Sequence, residues 1–358
     1  MRIRSISARH ERLAPHQAAA GYAGLRDAAY VRCRVETEDG PVGTGVTGRF
    51  LGPEVVALLT GAMADELRGA DAGETEAIRM RLASRFNPRG MTGAFVSALS
   101  ALDLALWDLK GKALGQPVWR LLGAARSQVP VYATVGLPAY DEAALIEACR
   151  SAIADGYRGA KMLVAAGGRG VVEDARRVRA VREALGPAAP LMLDANCGMT
   201  VADAKRLATM VEECDITWFE EPVTGNDIEA LAELRRSVRV PIAAGQMVQS
   251  MAWFREALVR GAVDWLQPNA VFCGGVSAML RVLALAEAHG VPVSHAGGWD
   301  LANLAVMAGH GHGGPVEMHG AHLELRDRLA DQPAAIRGVM APPERPGIGF
   351  AFADDGDG

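Results

Sequence analysis

Three polar side chains recur at equal spacing in the second half of the chain: Asp194 in PLMLDAN, Glu220 in ITWFEEP and Gln246 in VPIAAGQ. Each closes a short apolar run that gives way to an amphipathic window, which places each at the C-terminal end of a strand. Two carboxylates and an amide at equivalent ends of adjacent strands offer hard oxygen donors to one point, a set that suits Mg²⁺. Strand ends elsewhere in the same stretch add Lys161, Asn196, Asn269, His295 and Glu317. Lysine occurs only at 110, 112, 161 and 205, so Lys161, on an apolar run, reads as a functional group and not a solvated charge. Near a metal an ammonium is disfavoured, which can lower a lysine's pKa towards that of a useful base. Glu317 can donate as a protonated acid or bond a substrate hydroxyl. His295 can serve in acid–base chemistry or simply bond neighbouring backbone. Glu221 follows Glu220 directly and is expected to face the other way, in an ion pair with a helix. His319 is expected to be structural, beyond the barrel end.

The elements that must position these groups follow from a rhythm that starts at Val129. Eight apolar runs (VPVYATVG, GAKMLV, PLMLDAN, ITWFEEP, VPIAAGQ, VDWLQPN, VPVSHAG and GPVEMHG) alternate with helical windows. Strand–helix alternation implies a parallel sheet, and eight units imply a closed (β/α)8 barrel, whose chemistry sits at the C-terminal ends of its strands. A doubly wound sheet is the competing architecture, but no GxGxxG opens a helix after the first strand. Before the barrel, RIRSISARH and AAYVRCRVETEDGPVGTG alternate like paired strands joined by a turn at Asp39-Gly40. The apolar residues of MTGAFVSALSALDLALWDLKGKALGQP recur at helical spacing. The expected fold class is therefore α/β: an N-terminal α+β capping domain over residues 1–125 and a (β/α)8-type barrel over 126–320. Residues 321–358 are expected to return to the cap.

Bulk properties narrow the function classes. Half of the 358 residues are hydrophobic and the formal charge is −5. Nothing in the sequence suggests a transmembrane span or a basic patch, so neither membrane nor nucleic acid is an expected partner. The five cysteines are scattered without a CxxC, as expected of free thiols in a reducing cytoplasm. The first residues lack the apolar core of a signal peptide.

The stretches SALDLALWDLKGKALGQPVWRLLG, GYRGAKML, LMLDANCG, WFEEP, VPIAAGQ, LQPNAVFCGGVSAMLRVLALAEAHGVPVSHAGG and PVEMH resemble the enolase superfamily, in its mandelate racemase and muconate lactonizing branch. The resemblance spans nearly the whole length. It implies a cap closing over a barrel, a Mg²⁺ that holds a substrate carboxylate, and a base that removes the proton α to it. It also implies a homo-oligomer. His16, Tyr22 and Arg26 lie in a cap segment similar to the family's specificity loop and become candidates for substrate contact, with Asn196, Asn269 and Glu317. Lys161 matches the first lysine of the family's KxK pattern, but Leu163 replaces the second, which is usually the base. Gln246 replaces a third acidic ligand, and Asn269 the aspartate that orients a histidine. His295 comes one residue early. The neutral Gln246 leaves two negative charges in the ligand set, which we read as a retuned metal site. The expected activity is dehydration or epimerisation of a hydroxy acid such as an acid sugar, with Lys161 and His295 on opposite sides of the substrate. Cycloisomerases that use two strand-end lysines fit less well. The rival is a carboxylate-binding protein without turnover, favoured by the same departures.

Overall fold

The computed structural model describes residues 1–13, 29–38, 40–86, 91–330 and 333–353. His16, Tyr22 and Arg26 therefore lie outside the described residues. An antiparallel sheet of β1 (Ile3–Arg12), β2 (Ala29–Thr37) and β3 (Val42–Gly48), in that order, forms the N-terminal unit. The 21-residue helix Gly93–Ala113 lies on it, and its buried residues run through almost every turn. Contact is close because β3 presents glycines: a Cβ on Gly43 would stand 2.1 Å from the Ala105 carbonyl oxygen, and one on Gly45 2.0 Å from that of Ala101. Ile3, Val31, Val35, Leu59, Leu102 and Leu106 belong to a core of this unit's own.

The second sheet is parallel and curls in the order β10-β4-β5-β6-β7-β8-β9. Its strands are β4 (Val129–Gly136), β5 (Ala160–Leu163), β6 (Leu191–Asp194), β7 (Ile216–Glu220), β8 (Ile242–Ala244), β9 (Trp265–Leu266) and β10 (Val316–His319). The run VPVSHAG fills the gap between β9 and β10 with a single bridge, Leu266 to Val293. Ser294 N–H donates to Leu266, and His295 N–H to Pro315. All eight sequence runs thus take up barrel positions, consistent with the expected α/β barrel. The last described stretch ties both units together. A short β11 (Val339–Met340) pairs antiparallel with β4, Ile348 N–H reaches Asp108 of the long helix, and Phe352 stacks on Tyr30 at 5.7 Å between ring centroids. No described helix is long and apolar enough to cross a membrane.

Candidate active site

Inside the barrel, inward-facing residues form layers because side chains alternate along each strand. Tyr132, Met192, Trp218 and Ala243, with Trp265 against them, make an apolar floor; Tyr132 and Trp218 meet edge-on at 5.2 Å between centroids. One step further along their strands stand Thr134, Asp194 and Glu220, and the alternation brings Gln267 up beyond Trp265.

Lys161 rises into this upper layer, fully buried, with its Nζ 2.6 Å from Glu220 Oε2, 2.8 Å from Glu317 Oε1 and 3.3 Å from Asp194 Oδ2. Burial opposes the ammonium, but Glu220, Glu317 and Asp194 outweigh it and hold the lysine's pKa well above its ordinary value. The expected downward shift is thus reversed in this arrangement, because three carboxylates surround the amine. Burial drives Glu220 upward, with Lys161 opposing. Glu317 shows the other balance: burial is overcome by Lys161, His319 and His295, and its carboxyl stays ionised. Glu317 is held in place by Thr134 Oγ1, which donates to its Oε1, and by Gly298 N–H, which donates to its Oε2 at 2.7 Å.

Asp194 and Glu220 are the last residues of β6 and β7. Asn196, exposed on the rim with φ 47°, donates its backbone N–H to Asp194 Oδ1 at 2.8 Å; its main chain, not its amide, serves this site. Gln267 Nε2 donates to Glu220 Oε2 at 2.7 Å. The other oxygen, Glu220 Oε1, is buried without a hydrogen-bond partner, and so is Gln267 Oε1. Gln246 stands beyond β8, and a Cβ on Gly297 would lie 2.7 Å from its Cγ and 3.2 Å from Asn269 Nδ2. Lys161 thus joins Asp194 and Glu220, while the Gln246 side chain lies against the turn at Gly297. No group of three His, Cys, Asp or Glu side chains among the described residues forms a metal cage. The unsatisfied Glu220 oxygen, on the strand end next to that of Asp194 and paired in register with Ala243 of β8, nonetheless fits a hard cation. A buried oxygen without a partner carries a desolvation cost that a cation relieves.

Two further candidates are held by neighbouring backbone and side chains. His295 is fully buried, with Nδ1 accepting from Glu317 N–H at 3.1 Å and Nε2 against the Gly298 carbonyl. Both ring nitrogens are engaged by backbone, so His295 staples the 295–298 turn to β10 in place of facing a substrate. Burial, against the pull of Glu317, lowers its pKa to about 4. Asn269 is likewise spent. Its Nδ2 donates to the carbonyls of Ala296 and Gly298 at 2.7 and 3.0 Å, and its Oδ1 accepts from Val271 N–H and Asn303 Nδ2, both at 3.0 Å. Two donors and two lone pairs are the whole capacity of an amide, which leaves Asn269 nothing for a substrate.

Sequence reasoning passed over Thr134 and Gln267 and gave His319 and Glu221 structural roles. Thr134 and Gln267 support the carboxylates and share a strand face with Tyr132 and Trp265. His319 ends β10, in register with Thr134, and shares a face with Glu317. Burial lowers its pKa while Glu317 raises it, and Lys161 and Asp194 also act on it, so it belongs to the site's surroundings and not to a remote scaffold. Strand alternation carried the signal for all three. The fourth, Glu221, makes no helix-facing ion pair: Asn226 Nδ2 donates to its Oε1 at 2.8 Å.

Comparison with known proteins follows the same lines. The model for the mandelate racemase / muconate lactonizing enzyme N-terminal domain matches residues 3–123, and that for the enolase C-terminal domain-like fold matches 144–356. The chain belongs to this family. D-galactarolactone cycloisomerase of Agrobacterium fabrum is 34% identical over 346 residues, 91% of this chain and 90% of that one. A racemase from Streptomyces coelicolor A3(2), crystallised with bound magnesium, superposes with a TM-score of 0.89 at 32% identity, covering 98% of this chain and 97% of that one. L-talarate dehydratase from Polaromonas sp. JS666, complexed with Mg and L-glucarate, superposes with a TM-score of 0.88 at 29% identity, covering 99% and 95%.

Proposed function

We propose that this enolase-superfamily protein is a Mg²⁺-dependent enzyme that removes the proton α to a carboxylate of an acid sugar, leading to dehydration or epimerisation. The observation that carries the reading is the buried set of Lys161, Asp194, Glu220 and Glu317 above the apolar floor, with one Glu220 oxygen left unsatisfied. Asp194 and Glu220 would hold the metal, with the amide oxygen of Gln246 as a neutral third donor. Bound there, Mg²⁺ supplies the positive charge that stabilises the enediolate formed as the α-proton leaves. Lys161 is the group proposed to take that proton. Glu317, fixed by Thr134 and Gly298, would orient the substrate, and Tyr132, Trp218 and Trp265 exclude water from below. If the β-oxygen then departs, the result is dehydration; if a proton returns to the opposite face, an epimer forms. The named relatives include a cycloisomerase as well as a dehydratase, so cycloisomerases, which the sequence disfavoured, rejoin the candidates. Small carboxylates are the proposed partners, and the assembly a homo-oligomer.

A specific observation supports a second role for Lys161. Its three carboxylate contacts favour the ammonium, which would neutralise the substrate carboxylate without accepting a proton. Carboxylate binding without turnover is the remaining rival, supported by Leu163 at the usual base position. The test is a panel of acid sugars and their lactones in deuterated water with Mg²⁺, followed by NMR. Metal-dependent exchange, epimerisation or water loss on at least one is the expected result. Binding of several with none of these changes would overturn the enzymatic reading.

A further inference from the structure

Directly behind the proposed metal ligands lies a second carboxylate that the mechanism does not use. Glu221 is 5% exposed, and no lysine or arginine among the described residues pairs with it in a salt bridge. Its φ of 42° lies in the left-handed region, which is strained for a residue with a Cβ. A buried carboxylate of this kind is costly unless its bonds hold something in place.

Its bonds reach the turns that follow two successive barrel strands and the strand after them. From the turn after β6, Cys197 N–H donates to the Glu221 carbonyl at 2.7 Å, and the Cys197 thiol approaches Oε2 at 3.8 Å. From its own turn after β7, Asn226 Nδ2 donates to Oε1 at 2.8 Å. On β8 itself, the Ala243 carbonyl accepts from Glu221 N–H at 2.8 Å. The two turns follow Asp194 and Glu220, and β8 leads into Gln246. Three more non-glycine residues here have left-handed backbone: Asn196 (φ 47°), Cys197 (φ 59°) and Asn226 (φ 51°). Such conformations persist only where their surroundings fix them.

We propose that Glu221 is a positioning residue for the Mg²⁺ ligands, tying the turns after β6 and β7 to strand β8 so that Asp194, Glu220 and Gln246 can meet one ion. This rests on the metal site proposed above. Asn226 completes the device: its Nδ2 serves Glu221, its carbonyl accepts from Trp253 Nε1 at 3.1 Å, and its Oδ1 is buried without a partner. Residues that orient metal ligands from behind change metal affinity by roughly ten- to a hundredfold when removed.

The experiment compares thermal unfolding of wild type, Glu221→Ala and Asn226→Ala with and without saturating Mg²⁺, with calorimetric titration of Mg²⁺ into each. A ligand that binds only the folded state raises Tm with the logarithm of its concentration over Kd. The expected result is a Mg²⁺-induced rise in wild type that is clearly smaller in Glu221→Ala, with Mg²⁺ affinity about tenfold or more weaker, and a smaller loss in Asn226→Ala. A residue that serves the fold alone would lower Tm equally in both conditions. An undiminished Mg²⁺-induced rise in Glu221→Ala would therefore overturn the inference. If Glu221→Ala does not fold, Glu221→Gln keeps the volume but puts an amide NH2 where one carboxylate oxygen accepted, and is judged by the same rise. No rise in wild type would sink the metal site itself, an outcome distinct from failure of the Glu221 role alone.

Discussion

At the scale of single residues, Lys161 is where the chemistry is most exposed to test. Lys161→Met keeps much of the volume and removes the amine. If Lys161 is the base, α-deuterium exchange on a confirmed substrate should fall by about a hundred- to ten-thousandfold, while Mg²⁺ still binds. Full exchange with weakened substrate binding would assign it the neutralising role. The group taking the proton would then be sought at His319, which faces Glu317, and not at His295, whose nitrogens are engaged. His295 has its own signature. Its folded pKa of about 4 lies below the ordinary 6.5, so the unfolded chain binds a proton that the folded one refuses. The stabilisation is complete above pH 6.5 and is lost as pH falls from 6.5 to 4, amounting to about 2 kcal/mol at pH 5. His322, pushed down to about 3 by burial and by His319, acts with the same sign. Denaturant titrations at pH 7 and pH 5 should show a smaller loss for His295→Gln than for wild type; equal losses would contradict this assignment. Lys161, Asp194, Glu220 and Glu317 were legible because a side chain at a strand end has little freedom over where it points. The fates of His295 and Asn269 were not, since they depend on how Ala296, Gly297 and Gly298 curl back.

Among the elements, β3 and the helix Gly93–Ala113 set how the cap is built. Gly45→Ala would press a methyl group against the Ala101 carbonyl and the Ala105 amide, at 2.0 and 2.6 Å. Overpacking against backbone typically costs about 1–3 kcal/mol or more, so the denaturation midpoint should drop clearly; an unchanged midpoint would mean that strand and helix can part easily. The sequence showed these glycines only as part of an alternating segment, because closeness of packing is a property of two elements and not of either alone. Strand β9 and the run around Val293 teach the complementary lesson. Both read as full strands, yet ladder pairing covers only Trp265–Leu266 and a single bridge. Hydrophobic pattern reports which residues are buried; it does not report how many hydrogen bonds the neighbouring strand can reach.

For the molecule as a whole, the proposed homo-oligomer predicts a particle larger than 37.7 kDa by light scattering at micromolar concentration; a monomer would refute it. The barrel itself was readable because eight repeats of one strand–helix pattern leave few other arrangements. The pairing of β11 with β4 was not, since Val339 and Met340 are two residues in a stretch of prolines and glycines. That pairing sets an order on biosynthesis. As the chain leaves the ribosome, β4 is the first barrel strand to emerge, but its partners β10 and β11 come from residues 316–340. Until those are made, one edge of the growing sheet stays open to other chains. The nascent protein therefore carries one unpaired edge of β4 through about half of its translation, a window in which a chaperone, or a neighbouring polysome, can decide its fate.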